Sequence, residues 1–247
     1  MELDVTNIAG TYQQTRERRR SRHSVADRIA PRRTQYDYLV LDSLQQSIRH
    51  LIDRCPPGNG VGKALDLGAS RSPYKSLLEA NGYAVSTLDI DVDGGADCVG
   101  TVEETGLPDE SFDLVICTQV LEHCLNPWGG IREIRRILKP SGVLVASVPH
   151  VWFYHPHPTD NWRFTQEGIL HLCDMGGLKP ESLLSQGGSV MALFQIVNFL
   201  AYGVLGRLGM PLYFLSNCVA EILDRLAANT TFCLNFACLA AKPGQSS

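Results

Sequence analysis

Short apolar runs alternate with amphipathic segments through the middle of the chain. The apolar runs predict strands near 63–67, 84–90, 96–99, 112–117 and 142–148. The segments with helical spacing predict helices near 73–81, 127–138 and 165–176. Such alternation predicts an α/β fold with a doubly wound, mostly parallel sheet and helices on both faces. Ligands of these sheets bind at the carboxyl ends of the strands.

A polar and basic region precedes this alternating core. Residues 1–35 carry little apolar character, whereas 36–54 has apolar positions at helical spacing, which predicts a helix that covers the domain. The prolines and glycines of 55–60 end that helix and mark the entry to the core. We therefore divide the chain into an N-terminal basic segment with a covering helix, 1–57, and a second domain, 58–247.

The composition becomes strongly apolar beyond residue 187. Two nearly continuous apolar runs fill about 190–227, and a last strand is predicted over 231–240. The runs therefore form a helical insertion before the last strand. We expect this insertion to roof a pocket, to form a homodimer contact or to make peripheral contact with a membrane. Gln195 and Asn198 interrupt the first run, which argues against a helix that spans the bilayer.

Length and charge set the broad class of the protein. A chain of 247 residues holds one sizeable α/β domain with appendages. The net charge of −4 gives no overall signature of nucleic-acid binding, and no nucleic-acid partner is expected. Arginines nevertheless crowd the N-terminal segment, a pattern more typical of a solvated run than of a contact with an anionic surface or substrate. They are Arg16, Arg18, Arg19, Arg20, Arg22, Arg28, Arg32 and Arg33.

The cysteines and the N-terminus bear on location. The eight cysteines include no CxxC pair, and several fall in apolar strands, as expected for buried thiols in a reducing compartment. The first residues lack the basic and apolar regions of a signal peptide. Together these features predict a cytoplasmic location.

The most informative motif is the turn that follows the first core strand. Residues 64–74 read Ala-Leu-Asp-Leu-Gly-Ala-Ser-Arg-Ser-Pro-Tyr, in which Gly68 permits a close approach of the backbone to a ligand. Asp89 ends the next apolar strand, 23 residues after Asp66, where a carboxylate can bind the two hydroxyls of a ribose. Ser70 and Ser72 replace the later glycines of a dinucleotide loop, which favours a nucleoside ligand without phosphates.

Several motifs in order resemble the class I S-adenosylmethionine-dependent methyltransferases, and in particular their type 11 group. They are Asp66-Leu67-Gly68, Leu88-Asp89-Ile90, the segments 107–115 and 118–123, and the helix and turn of 131–142. The resemblance implies a seven-stranded Rossmann-like sheet and S-adenosyl-L-methionine as cofactor. It also implies a set of cofactor-binding residues. Thr101 and Val102 would lie near the adenine, and Thr118 and Gln119 near the methionine part. The others are Asp66, Gly68, Ser70, Asp89 and Ile90.

In this family the methyl group passes in line to the acceptor, so the protein chiefly holds the two partners together. A base helps only when the acceptor is a hydroxyl or an amine. His123 follows the fourth strand and is a candidate base, although with Glu122 it has an alternative structural role as a helix cap or backbone contact. Some relatives hold a metal with two glutamates and histidines here, but Gln119 removes one carboxylate, so no metal is expected.

A second cluster of aromatic and histidine residues fills 150–165, after the fifth strand. His155 and His157 are candidate catalytic residues at the mouth of the cleft. Trp162 and Phe164 are better explained as packed residues, and Arg163 has an alternative role as the ion-pair partner of Asp160.

These observations predict a methyltransferase that acts on a small-molecule, glycan-linked or lipid-linked acceptor, with O-methylation favoured over N-methylation. An apolar insertion suits an amphiphilic acceptor. A cofactor-binding pseudoenzyme or a membrane-associated partner protein is the alternative from another class. A nucleic-acid methyltransferase comes third, supported only by the N-terminal arginines.

Overall fold

The computed structural model describes residues 25–69, 71–156, 159–227 and 229–244. Its seven strands form one sheet in the order β3-β2-β1-β4-β5-β7-β6. Neighbouring strands are parallel except at β7, which runs antiparallel to both β5 and β6. The strands are β1 Gly62–Leu67, β2 Tyr83–Asp89, β3 Cys98–Val99, β4 Phe112–Thr118, β5 Leu138–Pro149, β6 Lys179–Gln186 and β7 Asn235–Ala241. The predicted fold is confirmed.

Seven α-helices accompany the sheet in the described part of the chain. They are α1 Val25–Ile29, α2 Tyr38–Asp53, α3 Lys75–Ala80, α4 Pro127–Ile137, α5 Gln166–Met175, α6 Ser189–Leu205 and α7 Met210–Ala227. Two short 3-10 helices, Leu121–His123 and Gly206–Gly209, follow β4 and α6. The covering helix, the core helices and the apolar insertion therefore lie where the sequence pattern predicts them.

The sheet has a hydrophobic core on each face, as side-chain alternation along a strand requires. Along β4, Val115 and Cys117 face the core that also contains residues of α4 and α5, whereas Leu114 and Ile116 face the core formed with α2 and α3. All eight cysteines are free thiols, and six of them are buried. The expectation of buried thiols therefore holds for most of them.

One strand is absent from the sequence-based prediction. The strand β6 reads Lys-Pro-Glu-Ser-Leu-Leu-Ser-Gln, which is too polar to resemble a core strand. It lies at the edge of the sheet, where only β7 pairs with it, and its register shifts between Pro180 and Ser182. An edge strand tolerates proline and polar residues because one side of its backbone needs no partner strand. The last strand also begins later than predicted, at Asn235.

The apolar insertion forms a pair of packed helices, α6 and α7. Gln186 at the end of β6 and Pro149 at the end of β5 both pair with Asn235, so the insertion leaves the sheet at the edge where the parallel strands end. By length and composition, Ser189–Ala227 is one stretch apolar enough to cross a membrane, and only 17% of the qualifying window is buried inside the protein. The stretch is broken at the 3-10 turn Gly206–Gly209.

The polar residues of the first run require a correction. The sequence pattern treats Gln195 and Asn198 as interruptions of the apolar surface, but both side chains are buried and face the rest of the protein. They leave the outer face of α6 without an amide. Sequence spacing alone does not tell which face of such a helix is buried.

Candidate functional site

The turn after β1 is built around Gly68. Its φ is +75°, and its backbone N–H, together with that of Ala69, donates to the carbonyl of Leu88 at 2.8 and 3.1 Å. A Cβ at this position would lie 2.4 Å from Cγ2 of Val120. The position therefore requires glycine both for its backbone conformation and for its close contact with the end of β4. Ser70, a predicted cofactor-binding residue in this turn, lies outside the described residues.

Two carboxylates lie at the adjacent strand ends. Asp66 is 2% exposed and accepts a hydrogen bond of 2.7 Å from the hydroxyl of Ser72. Asp89 closes β2, and its Oδ1 accepts from the backbone N–H of Asp91 at 2.9 Å. Asp91 itself is exposed beyond the strand, as predicted. Asp66 thus fixes the turn from within. Asp89 is partly exposed at the carboxyl end of β2, beside this turn.

The pKa of Asp66 is raised to about 6, chiefly by burial and to a smaller extent by the nearby charge of Asp89, while the hydrogen bond from Ser72 opposes the rise. The folded protein then holds a proton that the unfolded chain has lost, so stability falls as the pH rises from about 4 to above 6. We expect the free energy of unfolding of the wild type to fall by about 3 kcal/mol over this range relative to Asp66→Asn. Urea unfolding at several pH values measures the difference, and parallel pH profiles would contradict the assignment.

Gln119, directly after β4, bonds to β5 and has an unusual backbone conformation. Gln119 has a φ of +55°, its N–H donates to the carbonyl of Ser147, and its side-chain amide donates to the Ser147 hydroxyl at 2.7 Å. A non-glycine residue in this conformation stores strain, which is common at functional sites. Thr118 lies beside the buried hydroxyl of Tyr74. The predicted residues Thr118 and Gln119 are therefore at the same edge of the sheet as Asp89.

The other predicted cofactor-binding residues border this edge. Ile90 is 53% exposed directly after Asp89. The hydroxyl of Thr101 accepts from the N–H of Glu104 at 3.1 Å. Val102 is buried in the main core, close to Gly130, so its side chain is not a surface of the cleft. The roles of Thr101 and Val102 in cofactor binding stay predictions.

A buried glutamate meets two histidines just beyond β4. Glu122 is fully buried, and neither oxygen of its carboxylate has a hydrogen-bond partner among the described residues. Nε2 of His123 lies 3.8 Å from its Oε1, and Nε2 of His155 lies 3.9 Å from the same atom. The two rings meet edge to face with centroids 5.2 Å apart. The structure thus joins two of the three predicted catalytic histidines; His157 lies outside the described residues.

Both imidazoles are oriented through their other nitrogen. Nδ1 of His123 donates to the carbonyl of Thr159, and Nδ1 of His155 donates to the carbonyl of Phe153 at 2.9 Å. Asp160 also lies 3.1 Å from Nδ1 of His155. These contacts place the proton of each neutral ring on Nδ1 and the lone pair on Nε2, which faces Glu122.

Charged neighbours hold this loop in place. Burial alone would raise the pKa of Asp160, but hydrogen bonds from the Arg163 guanidinium and the His155 backbone hold it at about 2. Burial lowers the pKa of His155, and burial raises the pKa of Glu122 to about 8. The ion pair of Arg163 with Asp160, considered as a structural alternative, is present and supports the position of His155.

Three further outcomes concern the same segment. Helix α4 is capped by Asn126, whose side chain accepts from Gly129 N–H at 3.0 Å, so the interpretation of Glu122 and His123 as its cap was wrong. The other structural alternative, a contact with backbone, is present for His123, whose Nδ1 donates to the carbonyl of Thr159. Phe164 is buried, and Trp162 packs against the core and donates to the carbonyl of Cys124. Both fit the packed role that the sequence favours.

Glu122 was not among the predicted site residues. The available signal was an acid four residues after the end of β4, but its convergence with His155 depends on the course of the loop 150–160. The side-chain ligand atoms of Glu122, His123 and His155 all lie within 4.8 Å of one another. Two imidazoles and a carboxylate can hold a divalent first-row metal or can accept and transfer a proton. Gln119, on which the expectation of no metal rests, points elsewhere.

Known proteins resemble the central part of the chain. Residues 65–146 match a family described as a methyltransferase domain. A malonyl-[acyl-carrier protein] O-methyltransferase of Erwinia pyrifoliae is 27% identical over 42% of this chain and 43% of that protein. A probable S-adenosylmethionine-dependent methyltransferase of Mycobacterium tuberculosis is 33% identical over 35% of this chain and 30% of its own length. The chain therefore spans less than half the length of these relatives.

Solved structures resemble the fold over most of its length. The 1,6-didemethyltoxoflavin-N1-methyltransferase of Burkholderia thailandensis, crystallised with S-adenosylhomocysteine, aligns with a TM-score of 0.55 at 14% identity. The alignment covers 96% of this chain and 86% of that protein. At this level of identity the likeness concerns the fold alone.

Proposed function

We propose that this chain, which belongs to the class I S-adenosylmethionine-dependent methyltransferases, transfers a methyl group to a small-molecule, glycan-linked or lipid-linked acceptor. The observation that carries the proposal is the placement of Asp89 and of the Glu122–His123–His155 cluster at one edge of the sheet, after β2 and after β4. A carboxylate in the place of Asp89 suits the two hydroxyls of a ribose, and the cluster offers a group that can receive a proton.

The residues of the cleft fit S-adenosylmethionine. Its nucleoside needs a carboxylate for the ribose hydroxyls, and it has no phosphate that would require further glycines. Asp89 would bind the ribose, the Gly68 turn would border the cofactor, and Thr118 and Gln119 would lie nearest the methionine part. When bound, S-adenosylmethionine supplies a methyl group already activated on a sulfonium.

The chain then has to position the acceptor and remove its proton. Nε2 of His123 or of His155 would accept a proton from an acceptor hydroxyl or amine, because its lone pair is fixed there by the Nδ1 contacts. Glu122 is fully buried beneath the two rings, whereas His123 and His155 are partly exposed, so an acceptor can approach the imidazoles from the open side of the cluster. O-methylation is favoured over N-methylation, because a hydroxyl gains most from a base.

A transfer assay tests the function. The purified chain would be incubated with radiolabelled S-adenosylmethionine and separate lipid, glycan and metabolite extracts, with Asp89→Ala as the control. We expect label in one extract class with the wild type and little with the variant. Cofactor binding without transfer to any extract would instead support a pseudoenzyme.

Alanine substitutions at two neighbouring aspartates test cofactor binding. Asp89→Ala is expected to weaken S-adenosylmethionine binding by about 1–3 kcal/mol, the range for lost hydrogen bonds to a charged group. Asp91→Ala is the matched control, because Asp91 is exposed and leaves its backbone N–H in place for Asp89. Titration calorimetry measures both. Tight NAD binding without binding of the methyl donor would overturn the assignment.

A further inference from the structure

The packed helices α6 and α7 bury amide side chains and expose aliphatic ones, which is the reverse of what helices on the surface of a soluble protein do. Their buried faces carry three amides, Gln195, Asn198 and Asn217. Their outer faces carry aliphatic side chains at helical spacing, namely Leu193, Val197, Leu200 and Val204 on α6 and Leu215 and Ile222 on α7, all of which are exposed by half or more. A helix that meets water normally shows the opposite arrangement. The outer face of residues 189–227 is therefore suited to an apolar environment.

The buried amides are all hydrogen-bonded within the protein. Gln195 accepts from the N–H of Val40 at 3.2 Å and donates to the carbonyl of Tyr36 at 2.9 Å. Asn198 donates to Asn217, which in turn donates to the carbonyls of Arg33 and Gln35. These bonds fix the two helices to the segment before α2. The exposed aliphatic face is thus a consequence of specific internal contacts.

The charges of the insertion are also unevenly distributed. Both acids face inward: Glu221 accepts from Arg33 and Tyr38, and Asp224 accepts from the N–H groups of Gly188 and Met191. Both bases, Arg207 at the turn and Arg225 near the end of α7, are exposed. Within 189–227 the charges free to meet a surface are therefore cationic. An aliphatic face bordered by arginines complements an anionic lipid surface.

Two further features bear on this surface, one in the sequence and one in the structure. The segment bound to the insertion through Arg33 continues, toward the N-terminus, into the arginine-rich sequence that contains Arg16, Arg18, Arg19, Arg20 and Arg22. Phe199 of α6 stacks on Phe153 with ring centroids 4.1 Å apart, so the insertion adjoins the loop that carries His155.

We propose that the outer face of residues 189–227 is a docking surface for an anionic membrane, bound peripherally. The helices lie on the lipid rather than cross it, because a crossing would detach Gln195 and Asn217 from their backbone partners and place all three amides in hydrocarbon. The 17 residues of α6 also extend about 26 Å, short of the ~30 Å hydrocarbon core. Membrane contact at this site would bring an amphiphilic acceptor beside the candidate base, a consequence that rests on the proposed function.

Vesicle flotation tests the docking surface without any cofactor or acceptor. The purified full chain would be floated with vesicles of phosphatidylcholine alone and of phosphatidylcholine with about 30% phosphatidylglycerol, enough to give a strongly negative surface. We expect flotation with the anionic vesicles, weaker flotation with the neutral ones, and loss of binding at high salt.

Variants locate the contact. Leu200→Glu with Val204→Glu is expected to lower the partition coefficient by about tenfold or more, because two apolar anchors are lost. Arg207→Glu is expected to lower it about fivefold or more, and only for anionic vesicles. Val61→Glu is the matched control: Val61 is 76% exposed but precedes β1, at the opposite edge of the sheet, and the substitution should have no effect.

Three results would overturn the proposal. Wild-type protein that ignores anionic vesicles would show that lipid does not cover this face, and a dimer in sedimentation that Leu200→Glu with Val204→Glu dissociates would identify a second copy as its occupant. Membrane-bound protein that resists alkaline carbonate and is released only by detergent would show a span instead of peripheral binding. Equal loss of flotation with Val61→Glu would show that the contact is not at 189–227.

Discussion

Replacing His123 with alanine is expected to lower turnover by a factor of about 10² to 10⁴ and to leave S-adenosylmethionine affinity nearly unchanged. Nε2 of His123 faces Glu122 beyond β4, whereas Asp89, the carboxylate proposed to bind the ribose, lies at the end of β2. His155→Ala is expected to act in the same direction. Steady-state kinetics with the acceptor found by the transfer assay, together with titration calorimetry, separates the two effects.

The control is His171→Ala, which removes an exposed histidine on α5 that contacts neither the cluster nor the cleft edge. It should retain full turnover. Dialysis against a chelator then distinguishes the two roles open to the cluster: a proton acceptor keeps its activity, and a metal site loses it until the metal is restored. If both His123→Ala and His155→Ala keep full turnover, catalysis rests on positioning alone.

The position of the candidate site was predictable because strand ends are local features of the sequence. Asp89 and Thr118 each close a short apolar run, and in a parallel sheet such ends meet at one edge. No knowledge of side-chain packing was needed to place them together. The same rule placed His123 near the cleft, since it follows β4 by only a few residues.

The remaining features depend on tertiary contacts. The polar sequence of β6 is tolerated because the strand lies at the edge of the sheet. The sequence around it does not reveal this position. The amides of α6 and its aliphatic side chains both recur at helical spacing, so only the tertiary partners of the amides decide which face is buried. These partners are the carbonyl of Tyr36 for Gln195 and the side chain of Asn217 for Asn198. Likewise, Glu122 becomes a site residue only because the loop returns His155 to it, 33 positions later in the chain.

Gly68→Ala is the second substitution with a large expected effect, and it tests the geometry on which cofactor binding depends. The φ of +75° costs an L-residue about 1–2 kcal/mol. The new Cβ would also lie 2.4 Å from Val120 Cγ2, an overpacking that typically costs about 1–3 kcal/mol. We therefore expect the free energy of unfolding to fall by about 2–5 kcal/mol, as measured by urea denaturation. S-adenosylmethionine affinity should fall as well, because the amides of the turn shift.

Two further variants divide this cost into its parts. Gly95 has nearly the same φ, +78°, and no atom of the described residues lies within 4 Å of the place a Cβ would take. Gly95→Ala should therefore cost only the backbone strain of about 1–2 kcal/mol. In the Gly68→Ala background, Val120→Ala removes the colliding methyl groups and should recover about 1–3 kcal/mol after its own cost is subtracted in a double-mutant cycle. A cycle without coupling, or a Gly68→Ala cost no larger than that of Gly95→Ala, would mean that the turn after β1 has room beside Val120. The close approach of the Gly68 backbone to β4 would then not be what shapes the cleft.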